Sequence, residues 1–362
     1  MFHLDIMASE LASAIAACGQ VVESSSKIPI LKTTRISVSD RVASFMATNT
    51  EQTVIARAAC EGRGTVCVDT FALDVKIKSL RSNQPVNIEG DDKFINVVQG
   101  RTKWKLPVLL DDFPVSVGDP IKVEPVRVGR DFIKAMRQVS GVVMPSHPTP
   151  ALTGVYVGND RVMATDARRL RSISVPPVSF DPFIVPIGIV SKIAGLLPDG
   201  GNLRADANRF SIDGDQVTVI SRLVHGMFPD MDRAMRPILE KLASKITADA
   251  DVLLAAMRRA GAIRATGEKQ SAFLNMQMQF RADEIGLYAR NLDGEEGNDF
   301  ARAERDGEDC DIGVVGNEAI DEIASLECDT VVIAYGDDRT PMKISSAADP
   351  NNFRIIQART FR

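Results

Sequence analysis

The sequence predicts an α+β protein made of three copies of one domain, in which two helices pack on antiparallel sheets. Three observations support this fold class. One amphipathic helical pattern recurs at a constant step along the 362 residues. A second, shorter helical pattern occurs once in each copy. The remaining segments have the alternating polarity of β-hairpins.

The first helix of each copy carries an apolar stripe at positions i, i+4 and i+7, which is one face of an amphipathic helix. Leu11, Phe132 and Leu253 begin the stripe and lie 121 residues apart at each step. The segments are "SELASAIAACG" (9–19), "RDFIKAMRQVSG" (130–141) and "DVLLAAMRRAG" (251–261). A matched stripe kept over two equal steps predicts internal repetition.

A second helix closes with an Ile-x-x-Leu pair in each copy. The pairs are Ile77 and Leu80, Ile193 and Leu196, and Ile323 and Leu326. Their steps are 116 and 130 residues, so the loops differ in length while the helices persist.

Four segments alternate apolar and polar residues around turn-forming residues, which predicts hairpins. They are "VYVGNDRVMAT" (155–165), "RFSIDGDQVTVI" (209–220), "MQFRADEIGLYA" (278–289) and "VVIAYGDDRTPMKI" (331–344). Proline, glycine and short polar residues interrupt the periodicity near 113–120 and 240–247, which predicts domains at 1–117, 118–242 and 243–362. The acidic stretch 293–311 is predicted to be a solvated loop, because its carboxylates lack the spacing of a calcium-binding loop.

Composition favours a soluble cytoplasmic protein. The chain is 44% apolar and contains no run long enough for a membrane span. Its start lacks the pattern of a secretory signal. Five scattered cysteines indicate reduced thiols. The net charge is -5, with the last third, from residue 242, at -8, so any surface that attracts a polyanion must be local.

No catalytic or cofactor motif is present. The sequence contains no GxxxxGK[ST], HExxH, GxSxG or GxGxxG pattern, and its three histidines are far apart. We therefore expect neither an enzyme nor a metal or cofactor site, and the repeat favours a scaffold.

Basic residues recur on the predicted helices and are candidates for facing DNA. On one helix they would be a solvated face, but recurrence favours a common phosphate-bearing surface with sequence-independent contacts. Asp321 and Glu322 make the third copy depart from this pattern. The candidates are Lys76, Lys78, Arg81, Lys134, Arg137, Lys192, Arg258 and Arg259.

Three motifs in order resemble those of one family. "KIPIL" (27–31), "MATDARRL" (163–170) and "SRLVHGMFPDM" (221–231) are similar to segments of the bacterial DNA polymerase III beta subunit, the sliding clamp. The resemblance implies three clamp domains per chain and a head-to-tail homodimer that closes a six-domain ring around double-stranded DNA. It implies a non-catalytic processivity factor in the cytoplasm, associated with the nucleoid. The implied partners are the polymerase III alpha subunit, other polymerases and the clamp loader.

The resemblance also implies a groove between the second and third domains that binds a short partner peptide. The groove residues implied by motif are Leu152, Thr165, Ala167, Arg168, Arg169, Leu170, Pro229, Arg233, Ala234, Arg339, Pro341, Ile355 and Gln357. The chain departs from the family at Ala167-Arg168, where Gly-His is usual, and at its ending, "QARTFR" (357–362). Because burying an unpaired guanidinium is costly, we expect a reshaped groove with weaker or altered partner preference.

The subunit contact implied by the resemblance joins an edge of domain one to domain three. Trp104 and Leu106 match the apolar positions of that edge strand, and Ile263 is the expected opposing residue. Trp104 is equally well explained as a core residue. Lys103 and Lys105 would face the acidic third domain.

Two alternatives stay open at this point. One is a diverged clamp that serves a specialised repair or mobile-element polymerase. The other is a three-domain α+β scaffold or enzyme that keeps only the fold.

Overall fold

The computed structural model describes residues 1–109, 112–263, 275–291 and 294–361. The chain divides into two compact units. The first comprises Met1–Lys134 with Val185–Val224, and the second comprises Ala135–Ile184 with His225–Arg362. The three domain ranges expected from the sequence remain a prediction.

The described residues form seven helices and 24 strands. The helices are α1 (Ala8–Gly19), α2 (Thr70–Ile77), α3 (Arg130–Ser140), α4 (Ile187–Leu196), α5 (Met231–Leu239), α6 (Ala250–Ala260) and α7 (Gly316–Ala324). The first strands are β1 (Phe2–Met7), β2 (Thr33–Ser39), β3 (Val42–Thr48), β4 (Gln52–Ala59), β5 (Glu61–Asp69), β6 (Pro85–Gly90), β7 (Phe94–Gln99), β8 (Thr102–Pro107) and β9 (Val126–Val128). Next come β10 (Gly154–Val157), β11 (Arg161–Thr165), β12 (Arg169–Ser174), β13 (Phe183–Pro186), β14 (Gly201–Ala205), β15 (Arg209–Asp213) and β16 (Val217–Arg222). The last are β17 (Ser244–Asp249), β18 (Asn275–Phe280), β19 (Glu284–Arg290), β20 (Glu296–Asp306), β21 (Cys310–Val315), β22 (Thr330–Tyr335), β23 (Met342–Ser346) and β24 (Phe353–Ile356).

The strands form two antiparallel sheets of twelve strands each. In the first, the order is β8-β7-β6-β1-β5-β2-β3-β4-β16-β15-β14-β9. In the second, it is β13-β10-β11-β12-β24-β23-β22-β17-β20-β19-β18-β21. Pairing between strands distant in sequence, β4 with β16 and β12 with β24, makes each sheet continuous.

The three repeated helices are confirmed as α1, α3 and α6. Their stripe residues are the ones that the fold buries: Leu11, Phe132 and Leu253 are at most 3% exposed. An apolar stripe of this kind stabilises a helix mainly by packing against the rest of the protein. The second helices are confirmed as α2, α4 and α7, each directly after a strand. The predicted Ile-x-x-Leu pair closes only α4, because Leu80 and Leu326 lie just beyond the ends of α2 and α7. All four predicted hairpins are present: β10–β11, β15–β16, β18–β19 and β22–β23.

The expected acidic loop is instead the long strand β20. Its residues alternate in exposure: Ala301 and Ala303 are buried, whereas Arg302 and Glu304 are exposed. Period-two alternation therefore places the strand even though its composition is acidic. Asp293, at the start of the expected loop, lies outside the described residues.

Helix α5 has no counterpart in the predicted repeat. The carboxylate of Asp230 caps it by accepting from the backbone N–H of Arg233 at 3.0 Å. Only Met235 is buried, so the helix lacks the wide apolar stripe that would reveal it in the sequence. None of the described helices is both long and apolar enough to cross a membrane.

Candidate functional site

The turn between β11 and β12 is stabilised by the side chains of Thr165 and Asp166. The hydroxyl of Thr165 donates to the carbonyl oxygen of Arg169 over 2.6 Å. The carboxylate of Asp166 accepts from the backbone N–H groups of Arg168 and Arg169 at 2.9 and 2.7 Å, and from the Arg169 guanidinium at 2.9 Å. Ala167 has a φ of 69°, in the left-handed region. Threonine and aspartate stabilise such turns by bonding to nearby backbone groups.

A row of side chains crosses β11, β12, β24 and β23 on one face of the second sheet. Thr165 lies opposite Leu170. Leu170 lies opposite Ile355, and Ile355 lies opposite Lys343 on its other side. Thr165, Leu170 and Ile355 are each at most 5% exposed. The structure therefore brings together three residues that the resemblance assigns to one peptide groove.

The other predicted groove residues belong to the same unit and differ in exposure. Leu152 is buried in the short 3₁₀ turn Pro150–Thr153. Pro229 follows Phe228, whose ring stacks on Tyr156 of β10 with 4.7 Å between centroids. This stack anchors the Phe-Pro-Asp turn on the sheet. The exposed members are Pro229, Arg233, Ala234, Arg339 and Gln357, and Pro341 is half-buried.

Arg169 and Arg171 flank Leu170 in β12, so they point to the opposite face of the sheet. Both guanidinium groups meet the carboxylate of Glu322 in α7. Arg171 makes two bonds to it, at 2.7 and 3.0 Å, and Arg169 approaches to 3.4 Å. Arg171 also donates to the carbonyl oxygen of Gln138 in α3 at 2.7 Å. These contacts join α3, β12 and α7 behind the row.

A third guanidinium completes this buried network. Glu322 and Arg354 are both 0% exposed, and the Arg354 Nε atom lies 3.9 Å from the Glu322 carboxylate. Arg354 also donates to the hydroxyl and carbonyl oxygens of Ser325, at 2.8 and 3.0 Å. Burial, and after it the nearby charge of Arg171, lowers the pKa of Arg354 to about 10. Arg354 is therefore still a cation at neutral pH, and Glu322 is central to three positive charges.

Arg168 is paired with Glu318, one turn before Glu322 in α7, at 2.9 Å. The sequence placed Arg168 and Arg169 in the groove, whereas the structure turns their charged ends toward α7 and Asp166. The acidic partner also explains how the chain accommodates arginine where the family has histidine. No signal in the local sequence could have revealed this, because the partners are about 150 residues apart.

Replacing Ala167 by glycine is expected to raise the free energy of unfolding by about 0.5–1 kcal/mol. A left-handed φ costs an alanine about 1–2 kcal/mol, which exceeds the extra chain entropy that glycine loses on folding. Thermal unfolding at fixed protein concentration measures the change. Ala164→Gly, in the adjacent strand, is the control and should destabilise; a loss of stability in both variants would contradict the expectation.

The predicted DNA-facing residues fall into two groups. Six are exposed: Lys78, Arg81, Lys134, Arg137, Arg258 and Arg259. Lys192 and Lys76 are half-buried instead. The Lys192 ammonium donates to the side-chain oxygen of Gln52 at 2.6 Å, and burial lowers the pKa of Lys192. The Lys76 ammonium donates to the carbonyl oxygen of Ala72 at 3.2 Å.

The predicted subunit-contact residues lie at a sheet edge and beside a core. Trp104 and Leu106 share the inner face of β8, the first strand of its sheet; Leu106 is 3% exposed and Trp104 is half-buried. Ile263 packs against the core of the second unit. Phe71, Val75 and Phe300 are among the exposed apolar residues that the sequence did not single out. The first two are four residues apart in α2, off its buried stripe, which is a readable signal.

Within the described part of the chain, no cluster of three or more histidine, cysteine, aspartate or glutamate side chains is arranged to hold a metal ion.

Comparison with known proteins relates the chain to one group along nearly its whole length. No family model matches it. It is 23% identical over 367 residues to the beta sliding clamp of Caulobacter vibrioides, with 96% of each chain covered. It is 25% identical over 346 residues to the beta sliding clamp of Salmonella typhimurium, covering 91% of this chain and 92% of that one.

Solved structures give the same result for the fold. The DNA polymerase III subunit beta of Pseudomonas aeruginosa superposes with a TM-score of 0.90 at 20% identity, over 99% of both chains. The beta sliding clamp of Caulobacter crescentus superposes with a TM-score of 0.88 at 21% identity, again over 99% of both. The resemblance carried by the three motifs is thereby confirmed: over nearly its whole length this chain is similar in sequence to bacterial beta sliding clamps, and it has their α+β fold.

Proposed function

We propose that this chain is a DNA sliding clamp. Two copies form a closed ring around double-stranded DNA in the cytoplasm and tether a polymerase to it. The observation that carries the proposal is the repeated strand junction, because the same pairing between two copies would close the ring. No chemical step is needed for this activity: a closed ring holds DNA by topology, and phosphate contacts need no base specificity.

Each internal junction joins equivalent strands of neighbouring copies. The pairs are β4 with β16, and β12 with β24. Among the described strands, the equivalent ones that take part in no internal junction are β8 and β20. β8 is the first strand of its sheet, and Glu296–Arg302 of β20 has a described strand partner on one side only, β19. An unpaired edge is a template for another strand, so β8 of one copy should pair with β20 of a second.

The internal junctions also give the register of this pairing. Three residues each form the first pair after the turn of their hairpin: Thr53 in β4, Leu170 in β12 and Glu296 in β20. Thr53 pairs with Ile220, the fourth residue of the six-residue strand β16. The fourth residue of the six-residue strand β8 is Lys105. The repeat thus sets Lys105 opposite Glu296 of the second copy, with complementary charge.

The same register sets Trp104 opposite Gly297 of the second copy. A Cβ atom at Gly297 would lie 2.2 Å from the carbonyl oxygen of Ala260 and 3.2 Å from Cγ2 of Ile263. Glycine leaves that surface low enough for an indole ring to lie on it, and aromatic side chains commonly cover glycine on a neighbouring strand. This supports the contact between Trp104 and Ile263 that the sequence suggested.

One helix position contributes to every junction. Lys76, Lys192 and Glu322 directly precede the buried isoleucine of α2, α4 and α7. Lys192 bonds to Gln52 and Glu322 contacts Arg169, which are the residues just before Thr53 and Leu170. The residue before Glu296 is Glu295, an exposed acid. We therefore assign Lys76 to the subunit interface, facing Glu295 of the second copy, in preference to DNA.

The DNA-facing surface that we propose uses the exposed cations of the predicted set. Lys134 and Arg137 lie on α3, and Arg258 and Arg259 lie on α6. The Arg259 Nε atom is 2.5 Å from a carboxylate oxygen of Asp299. Arg258 is therefore the better phosphate contact of that pair. Replacing such cations should weaken binding of all sequences equally.

The row formed by Thr165, Leu170 and Ile355 is the proposed floor of the partner groove. The polymerase III alpha subunit, other polymerases and the clamp loader would each insert a short peptide there. The ion-pair network behind the row holds β12 and β24 in register and so fixes the groove.

Retention on closed circular DNA tests the function. The chain is loaded by a bacterial clamp-loader ATPase onto nicked circular duplex or onto the same duplex made linear, and bound protein is measured after gel filtration. A clamp stays on the circle and slides off the linear form. Equal loss from both would remove the proposal, and so would a strictly monomeric chain at every concentration.

Reversing one charge of the subunit interface is expected to weaken the dimer. Lys105→Glu sets like charges opposite each other in both interfaces of the ring, and we expect roughly a tenfold or greater rise in the dimer dissociation constant. Analytical ultracentrifugation measures it. Combining Lys105→Glu with Glu296→Lys should restore dimerisation. Lys103→Glu, with the same charge change, faces Asn298 and is the control. Equal weakening by both single reversals would refute the register.

A further inference from the structure

Lys343 lies in the floor of the proposed partner groove. In β23 it pairs with Ile355, the last member of the buried row, so its side chain is on the groove face. It is half-buried, and its ammonium lies 4.8 Å from the centre of the Phe353 ring. Phe353 pairs with Ser172 of β12, so this ring is also part of the face. An ammonium over an aromatic ring is held in place but keeps bonding capacity for an anion.

Within the described residues, the Lys343 ammonium lacks the carboxylate partner that other charged side chains of this sheet have. Among the residues that the structure describes, no carboxylate forms an ion pair with Lys343. On the opposite face of the same strands, Arg169 and Arg171 both have acidic partners. Further along the same row, the exposed Lys245 pairs with Asp306 at 3.3 Å. Burial lowers the pKa of Lys343, as expected for a cation that has lost water without gaining a counter-charge.

A partner with an acidic side chain would supply the missing charge. The cross-strand neighbours of Lys343 on the groove face are apolar, with Ile355 and Ala334 beside it and Leu170 one strand beyond Ile355. A carboxylate brought there by a peptide would be partly desolvated, where a charge-assisted bond is stronger than at an exposed surface. Neighbouring apolar side chains of the peptide would cover Leu170 and Ile355.

We propose that Lys343 is a specificity-determining residue that selects partner peptides with an acidic residue next to an apolar anchor. The peptide carboxylate accepts from the Lys343 ammonium while the anchor lies on Leu170 and Ile355. This inference rests on the proposed function only in that partners use this groove.

Paired peptides test the selection. A fluorescent peptide with apolar anchors is made with aspartate at each remaining position in turn, and each version has an asparagine twin. Fluorescence anisotropy with the wild-type dimer should find one position where the aspartate peptide binds roughly tenfold or more tightly than its twin, since hydrogen bonds to charged groups are worth more than neutral ones. The preference should shrink as salt is raised.

The variant Lys343→Gln should bind the two twins about equally, whatever its affinity for the asparagine peptide. Lys245→Gln, on the same row but with an exposed and already paired charge, should keep the full preference. An unchanged aspartate preference in Lys343→Gln would overturn the inference. If no peptide binds the wild-type groove, the groove assignment falls with it, whereas retention on circular DNA reports separately on the clamp function.

Discussion

Replacing Glu322 by glutamine is expected to lower the free energy of unfolding by about 3–5 kcal/mol, as is typical when one partner of a buried ion pair is removed. Glu322 is 0% exposed and contacts Arg169, Arg171 and Arg354. Glutamine keeps the shape but leaves these guanidinium groups without their shared counter-charge. Thermal and denaturant unfolding at one fixed protomer concentration measure the loss, because the proposed dimerisation would make apparent stability depend on concentration.

Two further variants separate lost charge from lost packing. Glu318→Gln removes an acid from the same helix whose partner, Arg168, has a side chain 37% exposed, and we expect at most about 1 kcal/mol. Replacing Glu322 and Arg171 together by methionine removes both charges of the closest pair and should recover part of the stability. If Glu322→Gln were as mild as Glu318→Gln, the buried network would contribute little.

Replacing Trp104 by alanine is expected to weaken the dimer by about 2–4 kcal/mol per interface, the range of an aromatic hot spot. Because the ring has two such interfaces, the total of about 4–8 kcal/mol corresponds to roughly a 1,000- to 1,000,000-fold rise in the dissociation constant. Trp104 is half-buried at the edge of β8, and the proposed register sets it on Gly297 of the second copy. Sedimentation equilibrium over a range of concentrations measures the change, and the variant should also be lost from circular DNA.

Leu106→Ala is the matched control for Trp104→Ala. Leu106 is on the same face of the same strand but is 3% exposed, so it belongs to the core of its own protomer. Its truncation should lower the unfolding free energy by about 2–5 kcal/mol. If Trp104→Ala lowered protomer stability by as much and left the dimer intact, Trp104 would be a core residue and the interface assignment would be wrong.

The repeated helices and the hairpins could be predicted because each is set by a local period. Leu11, Phe132 and Leu253 each begin an apolar stripe with the 3.6-residue period of a helix, and all three are buried. The groove residues were found through a resemblance of motifs, and the pairing of Leu170 with Ile355 brings the two halves of that set together.

The roles of the charged residues could not be predicted, because they depend on which distant strands pair. Arg169 and Arg171 look like a phosphate-binding cluster in sequence, and only the position of α7 shows that Glu322 neutralises them. Lys192 shows the same limit: on its helix it looks solvent-facing, yet the pairing of β4 with β16 brings it to Gln52. Tertiary contacts decide the partner of a charge.

The two kinds of strand junction differ in how they respond to salt. The junction between β12 and β24 is backed by the Glu322 network, whose charges are shielded from solvent. The charged contacts of the proposed junction between β8 and β20 are made by Lys105, Glu296 and Glu295, which are all exposed. Dissolved ions screen exposed charges and hardly affect buried ones. The proposed ring should therefore open at the interface between its two copies. Higher ionic strength should shorten the time that a loaded ring stays on DNA.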